Sequence, residues 1–115
     1  MMTSIDAKKF VCHALKDSKR MQAYVGRWNP KIPSGILGSN GKYGNHIPIN
    51  KSATNADAER TRVCQEYEKW ILSDTEPVAV ALREDMKKNL KGKILGCWCS
   101  PLKCHAETIA IIANS

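Results

Sequence analysis

Three consecutive pieces near the carboxyl end constrain the fold of this chain most. The apolar run Lys93-Ile94-Leu95 leads into Gly96-Cys97-Trp98-Cys99-Ser100-Pro101-Leu102-Lys103-Cys104-His105, and Thr108-Ile109-Ala110-Ile111-Ile112 follows with helical spacing. A buried strand feeding a helix through a short turn is a unit of α/β layer structures. Its turn lies at a strand's carboxyl end, where open α/β sheets bind ligands. Three of the five cysteines and one of the three histidines fall in that turn.

Upstream, Ile5, Val11, Cys12 and Leu15 recur near a 3.6-residue period, which predicts a helix over residues 4–19. Residues 21–25 read as a short strand ended by Gly26. Residues 26–53 then form a long irregular stretch with Gly26, Gly35, Gly38, Gly41 and Gly44, five of the seven glycines. Structureless stretches of that length inside compact domains are often functional. It has room for further strands near Ile36-Leu37 or Ile47–Ile49. Thr54 or Asn55 suits the cap of a helix that buries Val63, Tyr67, Trp70 and Ile71 and pairs Arg62 with Glu66. Pro77 suits the first turn of another helix, which runs to Leu90 with Gly92 just beyond. Residues 93–98 read as a strand and 101–114 as the last helix. The order implies one small single-domain α/β fold over residues 1–115, a Rossmann-like layered sheet with flanking helices: an N-terminal helix (1–20), a Gly-rich site loop (26–53) and a strand–Cys/His turn–helix unit (93–115).

At 115 residues the chain has room for one modest core. It lacks the ~20 consecutive apolar residues of a membrane span and the apolar block of a signal peptide in its first twenty residues. A cytoplasmic protein with no membrane partner is therefore expected. Five cysteines with no secretory signal argue against a disulfide framework, and Cys12 and Cys64 read as small buried hydrophobes on helix faces. The net charge of +7 favours anionic partners, yet no run of five like charges marks a nucleic-acid tail.

Four motifs taken together resemble an uncharacterised family of bacteriophages and bacteria, the domain of unknown function 4326. They are Tyr24-Val25-Gly26-Arg27, then Lys42-Tyr43-Gly44-Asn45, then Arg60 or Arg62 with Tyr67 and Trp70, and finally Cys97-Trp98-Cys99-Ser100-Pro101-Leu102-Lys103-Cys104-His105. His46 stands where the family usually has proline, and the insertion 28–40 spreads the two front motifs apart. The tail is also similar to a second uncharacterised α/β family ending in Cys-x-Glu…Cys-His-Arg, with Cys99 at the glutamate position and Ala106 at the arginine. A distant similarity to small Rossmann-like nucleotide-binding domains accompanies these. The resemblance implies a fold and a site rather than a reaction. If the protein is phage-encoded, its place is the host cytoplasm.

Three readings of the tail cluster compete. In the first, the start of the last helix offers backbone N–H groups to a phosphate or carboxylate, and the same field activates a thiol. Cys104 is then the candidate nucleophile and His105 the candidate acid–base. In the second, Cys97, Cys99, Cys104 and His105 hold zinc, three thiols and an imidazole being a complete tetrahedral set. The spacing Cys-x-Cys and the adjacent Cys104-His105 are awkward for one ion, so His46 or His13 would have to assist. In the third, the cluster is structural. In the front loop, Arg27 and Lys42 offer cations, Tyr43 a stacking ring and Asn45 an amide able to read a base or ribose edge. The same glycines and asparagines are ordinary turn formers, and neither GxGxxG nor GxxxxGK[ST] is present. Arg60, in a helix's opening turns, opposes the helix dipole unless an anion rewards it.

The expected site therefore comprises ligand contacts Arg27, Lys42, Tyr43, Asn45, Arg60, Cys97 and Cys99, with Cys104 and His105 as candidate catalytic residues. No cofactor is expected beyond zinc in the second reading. The leading functional expectation is binding, processing or sequestration of a nucleotide or nucleotide-derived anion, as in a phage counter-defence sponge. The rival is a non-enzymatic basic module that binds a host protein or nucleic acid, with a structural or zinc-bound Cys/His cluster. Neither turnover nor oligomeric state follows from the residues.

Overall fold

The computed structural model describes residues 6–52, 54–98 and 105–115. It is a mixed α/β fold built on three short parallel strands: β1 (Val11–His13), β2 (Ala23–Tyr24) and β3 (Leu95–Cys97). The late strand β3 lies between the two early ones, with Cys12 and Tyr24 both opposite Gly96. A parallel bridge from Ala23 to Leu37 extends the β2 edge by one residue. This is the trace, within the long loop, of a strand expected near Ile36-Leu37. Three helices follow the loop or the sheet: α1 (Ala56–Ile71), α2 (Pro77–Asn89) and α3 (His105–Ala113).

The helix expected over residues 4–19 is not there. Asp6 caps a single 3-10 turn, Ala7–Phe10, and the chain then extends into β1. Pairing with β3 decides this, since tertiary contact overrides a weak local period. His13 reinforces the choice: its Nδ1 accepts the N–H groups of Leu15 (3.1 Å) and Lys16 (3.0 Å), donors a continuing helix would have turned to backbone carbonyls. Cys12 is accordingly a strand residue, buried on the sheet, and burial raises its thiol pKa.

The other elements form where their caps and apolar spacing put them. The Asn55 side chain accepts Ala58 N–H at 3.0 Å to open α1, and Pro77 occupies the first turn of α2. Arg83 closes the corner between them, donating to the Ile71 and Ser73 carbonyls at 2.6 and 2.8 Å. The sheet's two faces pack differently. Ala23, Val25, Leu95 and Cys97 face the helices, where Tyr67, Ile71, Met86, Leu90 and Ile109 complete the main core. Tyr24 points the other way, into a smaller cluster with Cys12, Met21 and Ile32, which Ile94 and Trp98 flank. Central Gly96 makes room for Met21 on that second face: a Cβ there would stand 2.1 Å from the Met21 sulfur, and that side chain would have to move. No helix among the described residues is long and apolar enough to cross a membrane.

Candidate functional site

A cavity of about 540 Å³ opens beyond the carboxyl ends of β2 and β3, a size typical of small-molecule sites. Gly26 and Arg27 enter it from the end of β2, and Cys97 and Trp98 from the end of β3. One face of α1 forms its opposite wall: Ala56, Glu59, Arg60, Val63 and Cys64 recur at helical intervals of three and four. The loop segment Ile49-Asn50-Lys51 and the pair Trp28-Asn29 complete the rim, and His105 closes the base. Trp28 is the more exposed of its two exposed large hydrophobics, 66% accessible against 53% for Ile49.

Charged and amide side chains shape this cavity by holding loop backbone. Arg27 Nε donates to the Asn45 carbonyl at 2.6 Å and Nη2 to the Ile47 carbonyl at 2.7 Å. The Asn45 side chain donates to the Val63 carbonyl at 3.1 Å and accepts Ile47 N–H at 2.9 Å. Arg62 forks onto Glu59 with two 2.7 Å bonds, reaches Glu66 at 2.7 Å and caps the Pro48 carbonyl at 2.9 Å. Glu59 also accepts Asn50 N–H. Arg62 first, then that N–H, holds the Glu59 carboxyl down at about 2, so it stays charged. Arg27 has no carboxylate partner among the described residues, and Arg60 pairs only with Asp57, which is 88% exposed. With Lys51, three cations therefore face one already neutralised carboxylate across the cavity.

His105 is a buried strut. A carbonyl can only accept, so Nε2 donates to Val25 at 2.6 Å and carries the ring proton there. Its ring meets Tyr67 edge-on, with centroids 5.0 Å apart. Burial drives its pKa down to about 4 against the pull of the Val25 and Tyr43 backbone, so the ring is neutral at pH 7. Trp98 Nε1 donates to the Tyr24 hydroxyl at 2.6 Å, and that hydroxyl donates to the Arg27 carbonyl. This relay fixes the turn from β2 to Arg27.

The structure thus brings Arg27, Asn45, Arg60, Cys97 and His105 to one cavity. Cys99 and Cys104 lie outside the described residues. Lys42 and Tyr43 are elsewhere. The Tyr43 ring is fully buried in the main core, so it offers no face for stacking, and its hydroxyl donates to Asp85 at 2.5 Å. Lys42 pairs with Asp85 at 2.6 Å in a second groove, alongside His46 and Trp70. Burial pushes the Asp85 carboxyl up, but hydrogen bonds from Lys42, Tyr43 and Asn89 outweigh it and hold the pKa down. His46 packs against Trp70 at 4.5 Å and His13 serves its own turn, so neither lines the cavity. Among the described residues no group of three His, Cys, Asp or Glu could hold a metal ion.

Trp28 and Glu59 escaped the sequence reading, and Cys64, read there as a small buried hydrophobe and buried on α1, also reaches the cavity wall. Signals for two of them were present: an indole directly after Arg27 in a polar loop, and Cys64 four residues after Arg60, hence on the same helix face. Glu59 carries a weaker one, its three-residue spacing from Arg62.

Comparison with known families now has geometry to stand on. The chain matches the model of a domain of unknown function, DUF4326, over residues 11–115. It belongs to that family. The match takes in β1 to β3 and α1 to α3, and with them the described residues of the cavity wall. No curated protein and no solved structure matches the chain.

Proposed function

We propose that this family member binds a nucleotide or nucleotide-derived anion in the cavity beyond β2 and β3. The observation that carries the reading is the charge of its wall: Arg27, Lys51 and Arg60 surround an apolar interior, and the one carboxylate there among the described residues is already taken by Arg62. A desolvated anion is favoured in such a place. The position, past the carboxyl ends of parallel strands, is the one Rossmann-like domains use for nucleotides, which agrees with the distant similarity of the tail motif.

Binding without turnover is the favoured form. The histidine and the carboxylate of the described wall are committed: His105 Nε2 to Val25, and Glu59 to Arg62 and Asn50. Holding such a ligand in the cytoplasm without converting it is what a counter-defence sponge requires.

Titration calorimetry with AMP and ADP tests the reading, using Arg60→Gln as the probe because Arg60 holds no loop carbonyl. Saturable binding is expected, weakened about tenfold by R60Q, the loss of one charge-assisted contact. Native mass spectrometry of the purified protein supplies the opposing result. A zinc-sized mass excess with no heat from any nucleotide would overturn the proposal in favour of a metal-bound Cys/His cluster.

A further inference from the structure

We infer that the cavity selects its ligand by charge and by the presence of a flat ring, and not by which base the ring is. This rests on the nucleotide reading above. Reading a base edge needs side-chain acceptors for exocyclic amines and donors for ring nitrogens and carbonyls. Among the described residues the cavity has three amide side chains, and each carbonyl accepts an N–H of its own turn, which ties the amide to the loop rather than leaving it free to swivel onto a base edge. Asn29 Oδ1 accepts Lys31 N–H at 2.9 Å, Asn45 Oδ1 accepts Ile47 N–H at 2.9 Å, and Asn50 Oδ1 accepts Ser52 N–H at 3.0 Å. Glu59, the remaining strong acceptor of the wall, is occupied by Arg62 and by Asn50 N–H.

Stacking is left uncommitted. Trp28 exposes its indole at the rim next to Arg27. Its backbone is pinned from below: Gly41 adopts φ +86°, and a Cβ there would stand 2.5 Å from the Trp28 nitrogen. A ring held flat on an indole is recognised whatever its edge, because every base has a π face. The phosphate then falls to Arg27, Arg60 and Lys51. The protein should accept purine and pyrimidine monophosphates alike and discriminate strongly against uncharged nucleosides.

The test measures affinities of the full chain for AMP, GMP, CMP, UMP, adenosine and ribose 5-phosphate, in the wild type and in Trp28→Ala and Trp28→Phe. The four monophosphates should agree within about threefold, and adenosine should bind at least about tenfold more weakly than AMP. W28A should weaken AMP about tenfold, in the range for one lost base–aromatic stack, with W28F retaining most of the affinity and ribose 5-phosphate indifferent to both. A tenfold preference for one base would overturn base-independence while leaving the nucleotide site standing. Equal loss of AMP and ribose 5-phosphate in W28A would overturn the stacking role. Failure of all four monophosphates to bind would remove the nucleotide reading itself, and this inference with it.

Discussion

Between Arg27 and Ser52 the backbone is fastened by charged and amide side chains; from Ala56 to Ala113 the described chain is fastened chiefly by buried apolar ones. The loop leans on Arg27, Arg62, Glu59 and Asn45, each bonded to main chain. The helical half leans on Tyr67, Ile71, Met86, Leu90 and Ile109, all buried. The difference teaches that the cavity and the core fail under different insults. Apolar burial binds no protons and is not screened by salt, whereas hydrogen bonds to charged groups respond to both. The cavity wall is thus the part of the molecule that solution conditions can reshape.

Four measurements break or sharpen that contrast. The largest effect is expected from the core. Leu95→Ala, at the centre of the sheet, should lower unfolding free energy by about 2–5 kcal/mol in urea titrations. An effect below that range would mean the strand is held mainly by its hydrogen bonds.

Next comes acid. The pKa of His105 is lowered from 6.5 to about 4 by folding, so the unfolded chain takes up the proton first. Its contribution is complete above pH 6.5 and is lost progressively as pH falls towards 4. From pH 7 to pH 5 stability should drop by about 2 kcal/mol, and His105→Gln should flatten that slope. Glu59 adds its own loss only at lower pH, as its carboxyl protonates between the ordinary range and about 2. An unchanged slope in the histidine variant would show that another group titrates.

Gly41→Ala should cost about 1–2 kcal/mol, since alanine is strained at positive φ and its methyl meets Trp28 backbone. Tryptophan fluorescence should shift at the same time, separating a displaced indole from simple destabilisation. Arg60→Gln should leave stability within about 0.5 kcal/mol while reducing ligand affinity, because its partner Asp57 is a solvated surface carboxylate. A large drop in melting temperature would instead make Arg60 a structural residue.

Much of this molecule was legible in its residues. Asn55, Pro77 and the apolar spacing of α1 announced two helices through local rules of capping and periodicity, which act within a few residues. The tail's apolar run and the helical pattern after it announced β3 and α3, and the Cys97 and His105 positions announced where a cavity would open. Arg27 and Arg60 were recognisable as cations with no obvious local use.

Tertiary structure alone decided the rest. Residues 11–13 became a strand because β3 offered an unpaired edge about eighty residues away, and no local period can report that. Tyr43 and Lys42 left the site because Asp85, on α2, supplied both a hydrogen-bond acceptor and a counter-charge. Asn45 turned its amide to Val63 and Ile47, and His105 its Nε2 to Val25, because buried polar groups must find partners and these carbonyls and N–H groups were the ones within reach. Sequence by itself determined which segments could be helix, which turn was rich in chemistry and the net charge of +7. Packing decided which side chains build the cavity, Arg27 and Asn45 among them, and which, such as Trp28 and Arg60, line it without holding its loop. Spacing along a chain reports neighbours within a few residues, whereas partners such as Asp85 and Val25 are set by how distant elements come together.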